Sequence, residues 1–191
     1  MKRTNVKIHA IKKATEKESE AFKAAAKEFE FEINDPDFWY DVSRVYNNWH
    51  HRKLLAPYNY EKQSFKLFKE MVLSGVDDFN KEKDYAIDIS VSFYYSWRSV
   101  VGYTLPSTWF TWVNRNIFKG FDLADIAGNQ AHEYLHNCGL DHPGTDRQSV
   151  VYRFGYLVKD RIKTRLGIAP KVVYRRSFWT RVKSFMRAVF L

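Results

Sequence analysis

The residues most able to do chemistry stand together at positions 132–142, HEYLHNCGLDH. Two histidines four apart lie about 400° round a helix from one another, so His132 and His136 project from one side at a separation that a single metal ion can bridge. Glu133 lies about 100° from His132, too far round to share the ion, and is placed to act as general base on a water at the ion's open position. Gly139 falls where the helix must stop, and a residue without Cβ can take the left-handed conformation that turns the chain back. His142 can then bring a third nitrogen. Three neutral imidazoles and a water make an open tetrahedral site for one Zn2+ ion, the catalytic rather than the structural arrangement. A bare H-E-x-x-H arises by chance in about one chain of this composition in a hundred; adding Gly139 and His142 takes that to on the order of one in 10⁵, so coincidence accounts for it poorly.

The helix that must hold these groups is legible upstream. Asp122 reads as its N-cap, and Leu123, Ile126, Ala127, Ala131 and Leu135 form an apolar stripe that requires a buried face. Cys138 is not needed as a ligand and is expected to pack. Residues 5–11 alternate as a half-buried strand that contains His9, read as structural or exposed. Residues 14–28 open with Thr15 three before Glu18, a capping box, and predict a helix. FEFEI, residues 29–33, alternates again and predicts a second strand, ended by Asn34-Asp35-Pro36. Residues 37–60 hold many aromatic residues without a clean period and read either as an insertion or cap over a cleft or as packing beneath a long connection. His50 and His51 are adjacent, point apart and receive no metal role. Residues 61–74 predict a helix stopped by Gly75. Residues 87–93, 99–105 and 109–118 read as strands, the last two separated by Pro106-Ser107, and residues 155–166 as a final helix. The fold class expected is α/β (α+β), in one domain over residues 1–170 followed by a tail at 171–191.

H-E-x-x-H-x-x-G-x-x-H is the metzincin zinc-binding signature, and the order of strands, motif helix, glycine turn and third histidine resembles that clan of metallopeptidases over roughly residues 85–156. The resemblance implies a mixed twisted sheet with an active-site helix and C-terminal helices, and zinc on His132, His136 and His142. It also implies hydrolysis of peptide bonds in a protein or peptide substrate, through a zinc-activated water with Glu133 as base. The clan carries a methionine turn beneath the metal. Residues 149–152 resemble it with Val151 at the methionine position, which makes Val151 and Tyr152 the candidate apolar floor, Tyr152 being read as structural. Metzincin substrates lie antiparallel along an edge strand; residues 99–104 are the candidate, centred on Val101, Gly102 and Tyr103. The alternative function is a catalytically weak metzincin-like domain that binds protein or membrane.

Composition narrows the setting. The 191 residues are 45% hydrophobic and 17% aromatic, enough to bury one core. The single cysteine excludes an internal disulfide. No run of eighteen uncharged apolar residues occurs and the N-terminus lacks an apolar core of signal-peptide length, so the expected location is cytoplasmic, with peripheral membrane association open to it. The net charge of +9 favours an acidic partner. Residues 171–191 hold six basic and no acidic side chains, with Phe178, Val182, Phe185 and Val189 on one helical face, which suits an anionic membrane surface or docking on the domain. Nucleic acid is not expected, since no recognised binding fold accompanies the charge.

Overall fold

The computed structural model describes residues 2–50, 64–77, 80–98, 100–104, 110–142, 144 and 146–169. The tail at 171–191, residues 51–60 of the aromatic segment, and Pro106-Ser107 lie outside the described residues.

The class is mixed α/β, as expected. Strand β1, Asn5–Lys12, pairs parallel with β2, Ala86–Tyr94; β2 pairs parallel with β4, Phe110–Asn114; and β3, Gly102–Thr104, runs antiparallel to β4. The order in the sheet is β1-β2-β4-β3, which puts β2 inside and, among the described residues, β3 at an edge. Strand β2 is buried from Ala86 to Phe93 on both alternating sets of side chains, the pattern of a strand covered on both faces. The register of β1 slips between Ile8 and Ala10, and His9, within this irregularity, meets Asp88 Oδ1 with Nε2 at 2.5 Å.

Helix α1, Glu16–Asn34, begins at the Thr15 capping box and continues through residues 29–33, where a strand was expected. The reason is that Phe22, Ala25, Ala26, Phe29 and Ile33 share one buried helical face. The intervening acids, which imitated strand alternation, serve other elements: Glu30 Oε2 accepts from Val6 N at 2.9 Å, and Glu32, 1% exposed, is paired with Arg161 and Arg165. Phe31 is left 52% exposed, as a strand alternating into a core would not allow.

Helix α2, Pro36–Val45, starts from the Asp35 N-cap with proline in its first turn, and a 3₁₀ turn follows at Tyr46–Asn48. Phe38, Trp39, Tyr46 and Trp49 are all buried in the main hydrophobic cluster, so this part of residues 37–60 packs within the core. Helix α3, Phe65–Ser74, is capped by Ser64 and closed by Gly75 in the left-handed conformation. Phe68 lies among Trp39, Tyr46 and Phe154, stacked on Tyr46 at 4.9 Å and edge-on to Phe154 at 5.6 Å. Past β4 the expected strand over residues 109–118 stops early. Asn114 caps Asn116 N and the chain turns into the single-turn helix α4, Arg115–Phe118.

Two helices complete the described structure: α5, Leu123–Asn137, carrying the histidine motif, and α6, Val150–Leu166. They cross very closely at two glycines. A Cβ placed on Gly128 would stand 2.7 Å from Gly155 O, and one on Gly155 would stand 2.6 Å from Gly128 O. Helix α6 is tied to α1 and α2 by Arg161, which pairs with Glu32, Asp35 and Asp41, and by Arg165 with Glu28 and Glu32. Among the described residues no helix is long and apolar enough to cross a membrane.

Candidate metal centre and cleft

Helix α5 forms where the apolar stripe requires it, with Asp122 and Asp125 exchanging the two hydrogen bonds of a capping box at its start. Ala124, Ala127, Ala131 and Leu135 are fully buried, which fixes the rotation of the helix about its axis and turns His132 and His136 toward a cleft. The helix ends at Cys138, half-buried against the core. Gly139 follows at φ 80°, and Leu140 N returns to Leu135 O at 3.0 Å. This reversal brings His142 back beside the helix. The His142 ring centroid lies 5.1 Å from that of His132 and 5.0 Å from that of His136.

One nitrogen from each of the three rings lies within 4.8 Å of the others. His132 Nε2 and His142 Nε2 are 3.3 Å apart. Two nitrogens on one tetrahedral zinc, each at about 2.0–2.1 Å, are separated by about 3.3–3.4 Å, so this pair already has the spacing of two ligands to one ion. His136 Nδ1 is 2.8 Å from Leu140 O; a carbonyl can only accept, so the proton sits on Nδ1 and the Nε2 lone pair is left for a ligand role. Burial, reinforced by the neighbouring imidazoles, pushes His132 well below 6.5, and burial lowers His136 as well. The rings of His132 and His136 are therefore neutral at neutral pH, the form that ligates a metal. The donor set and its spacing fit a zinc ion.

Glu133 is 4% exposed. Burial raises its carboxyl to about 7 against the opposing bonds from Thr104 and Asn129. Thr104 Oγ1 donates to Oε2 at 2.9 Å and Asn129 Nδ2 to Oε1 at 3.4 Å. The histidines and Glu133 line a cleft of about 640 Å3 whose opposite wall is residues 100–104, with Tyr152 and Tyr156 of α6 on the third side. A larger cavity, about 840 Å3, lies toward the far end of α6, but it has no imidazole and its lysines are committed, Lys159 to Asp125 and Lys163 to Asp122, both at 3.1 Å. Chemistry rather than size selects the first.

Of the residues singled out from sequence, His132, Glu133, His136 and His142 converge in this cleft, and Val101, Gly102 and Tyr103 border it. Tyr103 nevertheless sends its ring to Trp112, stacked at 5.3 Å. Residues 149–152 are the Ser149 N-cap and first turn of α6. Val151 is fully buried in the core, and the Tyr152 ring lies 4.6 Å from His132 and 4.5 Å from His142, so Tyr152 packs against two of the imidazoles. His50 is turned away to Asp146, 3.1 Å distant, and His51 lies outside the described residues.

Sequence reasoning missed Asn129 and Asn114, and placed Thr104 in the candidate edge strand without its bond to Glu133. Asn129 carried a signal, since it precedes Glu133 by one helical turn. Asn114 is fully buried and its Nδ2 faces the carbonyls of Ser96, Arg98 and Val100, at 3.1, 3.0 and 3.2 Å, holding the approach to β3. Only the fold brings it there.

No family model matches the chain, and no curated protein or solved structure matches it significantly.

Proposed function

We propose that this protein is a zinc-dependent peptidase that hydrolyses peptide bonds in extended polypeptide segments, built on a metzincin-like plan. The observation that carries the reading is the convergence of His132, His136 and His142 beside a buried Glu133, in a cleft walled by an edge strand. When bound, zinc supplies Lewis acidity, which favours attack of water on a carbonyl. The three imidazoles would hold it, with Leu140 O fixing the ring of His136. Glu133 would take the proton from the attacking water and return it to the leaving amine. Among the described residues strand β3 pairs on one side only, with β4, so backbone groups on its other side can receive an extended peptide as an added strand.

The test is metal content by elemental analysis of wild type and His136→Ala, alongside cleavage of a quenched peptide library by wild type and Glu133→Gln. The proposal expects one zinc per chain that is lost in the His136 variant. It expects turnover abolished by Glu133→Gln with zinc retained. Zinc without cleavage of any peptide would move the assignment to a metzincin-like binding module. Absence of zinc from freshly purified wild type would remove the reading altogether.

A further inference from the structure

We infer that Thr104, backed by Thr111, is the positioning residue for the Glu133 carboxylate, aligning it with the strand on which a substrate would lie. The contact stands on geometry; its kinetic consequence rests on the hydrolytic reading above.

A carboxylate that is 4% exposed has few ways to be satisfied, and its orientation is set by the donors it finds. Glu133 finds two. Asn129 is on the same helix and moves with it, so that bond fixes the side chain only relative to α5. Thr104 belongs to a different element. Its hydroxyl, 2.9 Å from Oε2, has one hydrogen, and in the ionised form that serves as base the Glu133 carboxylate can only accept, so in that form the hydrogen goes to Glu133. The 3.1 Å contact between Thr104 Oγ1 and Thr111 Oγ1 must then run with Thr111 as donor. The result is a directed chain from Thr111 to Thr104 to Glu133.

Thr104 and Thr111 are also register partners across β3 and β4. The chain therefore ties the carboxylate to the sheet at the strand that borders the cleft. Gly102, on the same side of β3, confirms how closely that strand overlies the carboxylate: a Cβ there would stand 3.3 Å from Glu133 Oε1 and 2.9 Å from Trp112 O. A peptide bound along β3 and the base that serves it are thus referenced to one three-residue strand.

The experiment measures kcat and KM on a quenched peptide for zinc-loaded wild type, Thr104→Val and Thr104→Ser, with zinc affinity by chelator competition. Valine keeps the shape and removes the hydroxyl. The expected result is a kcat loss of about 10–100-fold in Thr104→Val with KM and zinc affinity little changed, and recovery of most of it in Thr104→Ser. Unchanged kcat in the valine variant, or a serine variant as poor as valine, overturns the inference. If Thr104→Val does not fold, Thr111→Val reads the chain one link back: a smaller kcat loss at constant KM supports the inference and none overturns it. Urea midpoints of wild type, Thr104→Val, Glu133→Ala and the double variant need no activity. A combined shift smaller than the sum of the single shifts supports the contact, and additive shifts overturn it. A wild type that binds zinc but cleaves nothing would remove the peptidase reading and leave this cycle to decide whether Thr104 holds Glu133.

Discussion

Gly155→Ala should destabilise this protein, although the same change in an open helix would stabilise it by about 1 kcal/mol through helix propensity. The added methyl would stand 2.6 Å from Gly128 O, about 0.8 Å short of the 3.4 Å at which ordinary contact begins, and 3.2 Å from His132 Cβ. The obstacle is backbone and cannot rotate away, so the helices must part. Overpacking of a core costs about 1–3 kcal/mol, and a backbone clash belongs at the upper end, which leaves a net loss of about 2 kcal/mol after the propensity gain. For a chain of this size that lowers the melting temperature by roughly 4–8 °C. Separation of α5 from α6 also moves Tyr152 away from the imidazoles, so zinc affinity should fall in the same variant. The assay is thermal and urea unfolding of Gly155→Ala, Gly128→Ala and the double variant, with zinc competition. The double should cost less than the two singles together, because helices already forced apart admit the second methyl. Gly120→Ala is the control, since a Cβ there meets nothing closer than 3.4 Å. A Gly155→Ala protein more stable than wild type by about 1 kcal/mol would refute the close crossing.

Four further outcomes follow from contacts away from the histidine cluster. Arg161→Ala removes a partner from Glu32, which is 1% exposed, and strips Asp35 and Asp41 of theirs, so unfolding by urea should show a loss of about 2–3 kcal/mol. Arg3→Ala, whose pair with Glu30 is exposed, should lose less than about 1 kcal/mol. Burial pushes Glu18 up, but the bonds from Thr15 and Arg115 outweigh it and hold the carboxyl below 4.5. With a folded pKa below the unfolded one, its contribution is present above 4.5 and is lost as pH falls through the folded value, so the stability difference between wild type and Glu18→Gln should shrink steadily below that pH in urea titrations. Asn114→Ala leaves the carbonyls of Ser96, Arg98 and Val100 without their amide donor, and amide exchange should accelerate across residues 96–104 while α5 keeps its protection.

Where the sequence misled, the error had a definite cause. FEFEI alternates over five residues, and that period cannot separate a strand from the end of a helix whose acids happen to fall between its apolar positions. The decision lay with Val6 N and with Arg161 and Arg165, all of which reach Glu30 or Glu32 from distant parts of the chain. Residues 109–118 read as one strand, but Asn114 serves as a cap and ends it. The aromatic stretch after Asp37 has no clean period because Tyr40 stands 63% exposed beside buried Phe38, Trp39 and Val42, so aromatic character does not mark the buried face, and because α2 gives way to a 3₁₀ turn at Tyr46–Asn48, which changes the repeat.

The sequence alone determined the parts whose geometry is local. The four-residue histidine spacing, the stripe that rotates α5, the caps at Thr15 and Asp122, and the reversal at Gly139 depend on helix pitch and on backbone freedom, which act over one to three turns. Tertiary structure decided what no local period encodes: that Thr104 would meet Glu133, that α5 and α6 would cross at Gly128 and Gly155, and that the Tyr152 ring would lie against the imidazoles. Each of these depends on the register between separate elements, which core packing and buried ion pairs set together and which a single segment does not specify.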